Sequence, residues 1–101
     1  AASVPLDLGL GTSSFLWLAN GVNITSVVIS NATSIRVGQE FTLRISAGTI
    51  AITISGWDAA IKWPEGSSAL ASLAGFRNAI IKMRYVRPGT FVVTNTTIYI
   101  S

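Results

Sequence analysis

The stretch that decides the fold is residues 52–66, ITISGWDAAIKWPEG. Ile52 and Ile54 continue an alternation that begins at Ile50, with Ala51, Thr53 and Ser55 between them. A period of two marks a half-buried strand. At Gly56 that phase either holds or slips. If it holds, Trp57 falls on the wet face with Ala51, Thr53 and Ser55. If Gly56 is a bulge, the phase moves by one residue and Trp57 turns into the core. The core reading is favoured because large aromatic rings are seldom left in water without a use. Further on, Trp63 is held extended by Pro64, which also ends any pairing of residues 61–63.

The same alternation recurs along the chain: Leu6, Leu8 and Leu10; Phe41, Leu43 and Ile45; Ile81, Met83 and Tyr85. Runs rich in β-branched and aromatic residues predict further strands at 15–19, 22–30, 91–94 and 97–100. Turn residues punctuate them at Asn20-Gly21, 31–34, Gly38, Ala47-Gly48, 64–68, Gly75 and Pro88-Gly89. About eight short strands at this spacing predict an all-β fold, an antiparallel β-sandwich of jelly-roll type. Val27, Val28 and Ile29 break the alternation, which calls for a bulge or for a strand buried on both faces. The one helix pattern is 67–74, with serine caps, Leu70 and Leu73 three apart, and Gly75 as the stop.

At 101 residues the chain is a single domain with room for one core. The opening "AAS" and the absence of an initial Met point to a domain excised from a longer protein. Half the residues are apolar and only 11% are charged. A small monomer needs more polar cover than that, so part of the surface is expected to be hidden by a partner, most simply further copies of the chain. No apolar run reaches the roughly 20 residues of a spanning helix, so membrane insertion is not expected.

The chain has no His and no Cys. That excludes the usual metal sites, the Ser-His-Asp triad, a Cys nucleophile and a His general base. "GLG" at 9–11 lacks the lysine and the following helix of a phosphate loop, so no cofactor is expected. Asp58 and Glu65 are the one local carboxylate pair that could be pictured as a glycosidase couple, although two acids near a turn are ordinarily solvated. The net charge of +3 is mild. It suits an acidic partner such as an anionic polysaccharide or lipopolysaccharide better than nucleic acid, which calls for denser basic clusters with aromatic platforms. Three Asn-x-Ser/Thr sequons, at Asn23, Asn31 and Asn95, would suit a glycosylated secreted domain or simply a β protein rich in Thr and Asn.

The tryptophan corner admits two readings. Trp63 can close one end of the core, or it can be a platform on which a sugar ring stacks, with Asp58, Lys62 or Glu65 bonding the hydroxyls. Trp57 and Tyr85 are the other aromatic candidates for that ligand-binding surface. Trp17, in FLWLA, alternates with Leu16 and Leu18 and serves core or subunit interface.

From about Val37 onward, GQEFTLRI, then ITISGW, then IKWPEGSSALA and an alternating strand resemble C-terminal domains of bacteriophage tail fibres and tailspikes. The sharpest element is the Trp-Pro-x-Gly corner, here Trp63-Pro64-Glu65-Gly66. The chain departs from the pattern in 67–75, where more prolines are expected, and at its end, where a Gly-rich close is expected. The resemblance implies a distal fibre domain on the virion, outside the cell, assembled as a homotrimer. It implies recognition of host surface glycan, or a purely structural role in locking the trimer, with any enzymatic activity in upstream domains.

Overall fold

A computed structural model describes residues 2–33 and 35–100; Ala1, Ser34 (the last residue of one expected turn) and Ser101 lie outside the described residues. The chain is all-β. Among the described residues nine strands run in order: β1 (Ala2–Asp7), β2 (Ser14–Leu18), β3 (Ile24–Ser30), β4 (Glu40–Ser46), β5 (Ile52–Thr53), β6 (Ile61–Lys62), β7 (Ser72–Leu73), β8 (Arg77–Arg87) and β9 (Thr90–Ile100). A single 3-10 turn, Leu8–Leu10, follows β1.

The largest sheet has the order β2-β4-β8-β9-β6. Its centre is the pairing that the alternation anticipates, with Phe41 opposite Met83, Leu43 opposite Ile81 and Ile45 opposite Ala79. These residues face inward, while Thr42, Arg44, Lys82 and Arg84 face out. The β8–β9 hairpin turns at Pro88-Gly89. The two strands expected at 91–94 and 97–100 are one continuous strand, in which Thr94 is an extra residue between the Met83–Val93 and Lys82–Asn95 pairs. A bulge of this kind accounts for the phase change that made the sequence read as two pieces.

The remaining strands form β1-β3 and β5-β7 pairs. Isolated bridges from Ile24 to Ile54 and from Val27 to Trp57 tie β3 to the chain after β5. Val4, Leu6, Ile24, Val27, Ile52, Ile54 and Leu73 from this side share one buried cluster with Phe41, Leu43, Ile45, Ile81, Met83, Phe91 and Val93 from the large sheet.

The expectation of purely antiparallel pairing is corrected, since β1-β3, β2-β4 and β6-β9 run parallel and the sheet is mixed. The cause is the path of the chain. β1, β2, β3 and β4 go alternately to one group and the other, so β1 and β3, and β2 and β4, become neighbours after a crossover and point the same way, while β6 reaches β9 from the chain that follows β5. Hydrophobic alternation fixes which face of a strand is buried but is silent on direction.

Three local expectations also change. Leu8 and Leu10 do not extend β1, because the Asp7 carboxylate accepts the Gly9 N–H at 3.0 Å and starts the 3-10 turn. Residues 67–74 form no helix. Ser67 closes a turn onto the Pro64 carbonyl, and Ser72–Leu73 pairs with Thr53 and Ile52. With only Leu70 and Leu73 to bury, a helix there would gain little over pairing with β5. In β3, Val28 is exposed between buried Val27 and half-buried Ile29, so neither strand face is doubly buried. The bulge in this region lies earlier, where Ala2 pairs with Ile24 but Ser3 with Ser26, leaving Thr25 extra.

Candidate functional site

Gly56 settles the orientation of Trp57. The Ile24–Ile54 and Val27–Trp57 bridges are three residues apart on both strands, so both change phase together. At the change, a Cβ on Gly56 would stand 2.9 Å from the Thr25 carbonyl oxygen, a separation that side chains do not tolerate. Glycine thus lets the strands close over the Thr25 bulge, and Trp57 turns inward and packs, half-buried, on the core. Its Nε1 donates to the Leu70 carbonyl at 2.8 Å. The Trp63 ring meets it edge to face, with centroids 5.0 Å apart and planes at 75°. Such pairs add roughly 0.5–1.5 kcal/mol beyond area burial.

Asp58 builds the corner. One carboxylate oxygen accepts the Ile29 N–H and the other the Ala60 N–H, each at 2.9 Å. Its own N–H donates to Val27 at 2.8 Å, and its carbonyl accepts Ile61 N–H at 2.9 Å. Both carboxylate oxygens are thus engaged by backbone, and Asp58 pins β6 to β3. The second turn, 64–67, is closed by the Ser67 N–H and hydroxyl, which both donate to the Pro64 carbonyl, at 3.0 and 2.9 Å.

Between this turn and β9 lies an open groove of about 370 Å³. Trp63, Pro64, Ser67 and Ser68 form one wall, and Thr94, Asn95 and Thr96 the other, with Leu70 and Val93 also lining it. No charged residue lines the groove. One indole, a few apolar carbons and a rim of hydroxyl and amide groups are chemically suited to a sugar, whose rings offer C–H faces and whose rim offers hydroxyls. Trp63 Nε1 is buried without a hydrogen-bond partner, as is Trp17 Nε1 on the other side of the large sheet's order.

Of the six residues singled out in the sequence, only Trp63 lines this groove. Trp57 supports it from behind. Asp58 is a structural anchor, and Glu65 is exposed at the tip of the turn. Lys62 points the other way, onto the outer face of the large sheet, next to Val92 of β9. The proposal that Tyr85 meets a ligand is corrected. Its odd position in β8 puts it on the inner face, 6% exposed, with its ring 5.0 Å from that of Phe91. Conversely, Thr94 and Thr96 were not singled out. Their signal is the polar run Thr94-Asn95-Thr96-Thr97 in a chain otherwise alternating with apolar residues, which also marks the β9 bulge.

No protein-family model matches the chain, and no curated protein or solved structure matches it either.

Proposed function

We propose that the domain is a non-enzymatic carbohydrate-binding module, the distal part of a phage tail fibre or tailspike, that attaches the virion to glycan on the host surface. The observation that carries this reading is the uncharged groove that Trp63 lines together with Thr94, Asn95 and Thr96. The scaffold in this reading is a jelly-roll-like β-sandwich, supported by the single core to which both groups of strands contribute. Assembly as a homotrimer is part of the proposal. Leu10, Leu18, Val37, Ile50 and Ile100 are each more than half exposed, an apolar burden that a neighbouring subunit would relieve.

The same exposed residues favour the second reading, a structural trimerisation module that binds no ligand. A glycan-array screen with wild type and Trp63→Ala, alongside the solution mass of each, separates the two. The binding reading expects a glycan signal that Trp63→Ala removes while the trimer persists. A trimer with no glycan signal for wild type leaves the structural role, and a monomer removes the assembly argument.

A further inference from the structure

The charges are sorted by face in a way the net value conceals. Arg44, Lys62, Lys82 and Arg84 all stand exposed on the outer face of the large sheet, where Glu40 is the accompanying acid. Glu40 is held by Arg84 at 3.5 Å, and this is the sole ion pair among the described residues. Two of the other acids, Asp7 and Asp58, lie off this face and accept local N–H groups, Asp7 from Gly9 and Asn31 and Asp58 from Ile29 and Ala60. Glu65 sits on the corner turn.

Register gives the spacing of the four cations. Lys82 is opposite Thr42, so Arg44, two residues along β4, is its diagonal neighbour at about 7–8 Å. Arg84 is two residues along β8 from Lys82, about 7 Å. Lys62 is opposite Val92, itself opposite Arg84, so it lies two strand spacings from Arg84, about 9.5 Å. A shallow depression of about 400 Å³ opens beside Arg44, lined also by Ser14, Phe15, Leu16, Thr42 and Ile80. Asn95, opposite Lys82 on this face, is also a wall of the Trp63 groove, so a polymer leaving the groove over the β9 edge reaches the cations directly.

We propose that the outer face of the β2-β4-β8-β9-β6 sheet is a polyanion-binding surface, and that its ligand is an acidic polysaccharide carrying carboxylate, sulfate or phosphate groups along the chain. The proposal deepens the glycan-binding reading by naming the class of glycan, and rests on that reading for the polysaccharide backbone. Cations spread in a line rather than clustered match charges that recur along a polymer. The hydroxyl and amide groups of Ser14, Thr42, Asn95 and Thr97 between them suit sugar hydroxyls. The face presents no exposed aromatic rings in a row on which unpaired bases would stack, which separates it from single-strand nucleic-acid platforms.

The test measures binding of the intact chain to heparin, polygalacturonate, neutral dextran and a single-stranded DNA of matched charge, each from about 50 to 300 mM salt, a range over which counterion release is read. The acidic polysaccharides are expected to bind with a log–log salt slope of about 2 to 3, and dextran with none. Arg44→Ala/Lys82→Ala is expected to lower acidic-polymer affinity by about tenfold or more and the slope by about 1 to 2. Arg77→Ala, on the opposite phase of β8 from Lys82 and Arg84, should change affinity by less than about twofold. Trp63→Ala should keep the slope even where it abolishes binding of neutral oligosaccharides, so failure of the groove and failure of the face are read separately. The proposal is overturned if the Arg44/Lys82 variant binds like wild type, if Arg77→Ala lowers affinity as much as the double variant does, if Trp63→Ala loses the slope, or if the DNA binds more tightly than either acidic polysaccharide.

Discussion

Adding one methyl group at Gly56 tests the local geometry on which the corner depends. A Cβ there would lie 2.9 Å from the Thr25 carbonyl oxygen, whereas ordinary contact begins at 3.4 Å. The strands must therefore part by about 0.5 Å, the difference of those two distances. Three hydrogen bonds hold them at that point: Ser55 N–H to Ile24, Val27 N–H to Gly56, and Asp58 N–H to Val27, at 2.9, 3.0 and 2.8 Å. Because the opposing atom is backbone, no side chain can rotate away. Overpacking of this kind costs about 1–3 kcal/mol, offset by about 0.4–1 kcal/mol from the smaller entropy of the unfolded Ala chain. Gly56→Ala should therefore lose about 1–2 kcal/mol, a fall in Tm of about 5–15 °C for a domain of this size. Urea titration followed by circular dichroism gives the free energy, and tryptophan emission should shift to the red as Trp57 loosens. A variant as stable as wild type, with unchanged emission, would show that close approach to Thr25 is not why glycine stands there.

Other substitutions separate scaffold from site. Asp58→Ala removes the acceptor of two backbone N–H groups and should cost about 2 kcal/mol in urea unfolding, with Asp58→Asn recovering part of it; a loss under about 0.5 kcal/mol would deny Asp58 its anchoring role. Tyr85→Phe should leave glycan affinity unchanged and stability within about 1 kcal/mol. A large loss of glycan affinity in that variant would return Tyr85 to the binding surface. Glu40→Gln breaks an exposed ion pair and should move stability by no more than about 0.5 kcal/mol in thermal melts, since solvent screens both partners.

Burial was the part of this fold that the sequence made legible. Alternation in 41–45 and 81–85 placed each side chain of β4 and β8 on the face it occupies, because one face of those strands is solvated and the other is core. Strand direction and partner were not legible, since β1 and β3, or β2 and β4, meet only after the chain has crossed to the other group of strands. Of the short pieces, β5 falls within the alternation read at 50–54, whereas β6 and β7 were hidden for a related reason: two residues of pairing carry no periodicity. At the site, Trp63 was found by its place before Pro64. The opposite wall at Thr94, Asn95 and Thr96 comes from a distant strand through its bulge, and only the three-dimensional register brings it to the indole. Tyr85 shows the converse. Its alternation with Lys82 and Arg84 already assigned it to the face of Ile81 and Met83, and its aromatic character alone made it look available.

The most direct test of the central claim is calorimetric titration of an array-selected oligosaccharide into wild type and into Trp63→Ala. Circular dichroism of the variant is needed to confirm that its fold is retained. Loss of a central stacking aromatic should cost at least about 2 kcal/mol, so saturable binding to wild type should weaken by more than about tenfold in the variant. Equal affinity in the two folded proteins would contradict the account, because the sugar would then be held somewhere other than the Trp63 groove.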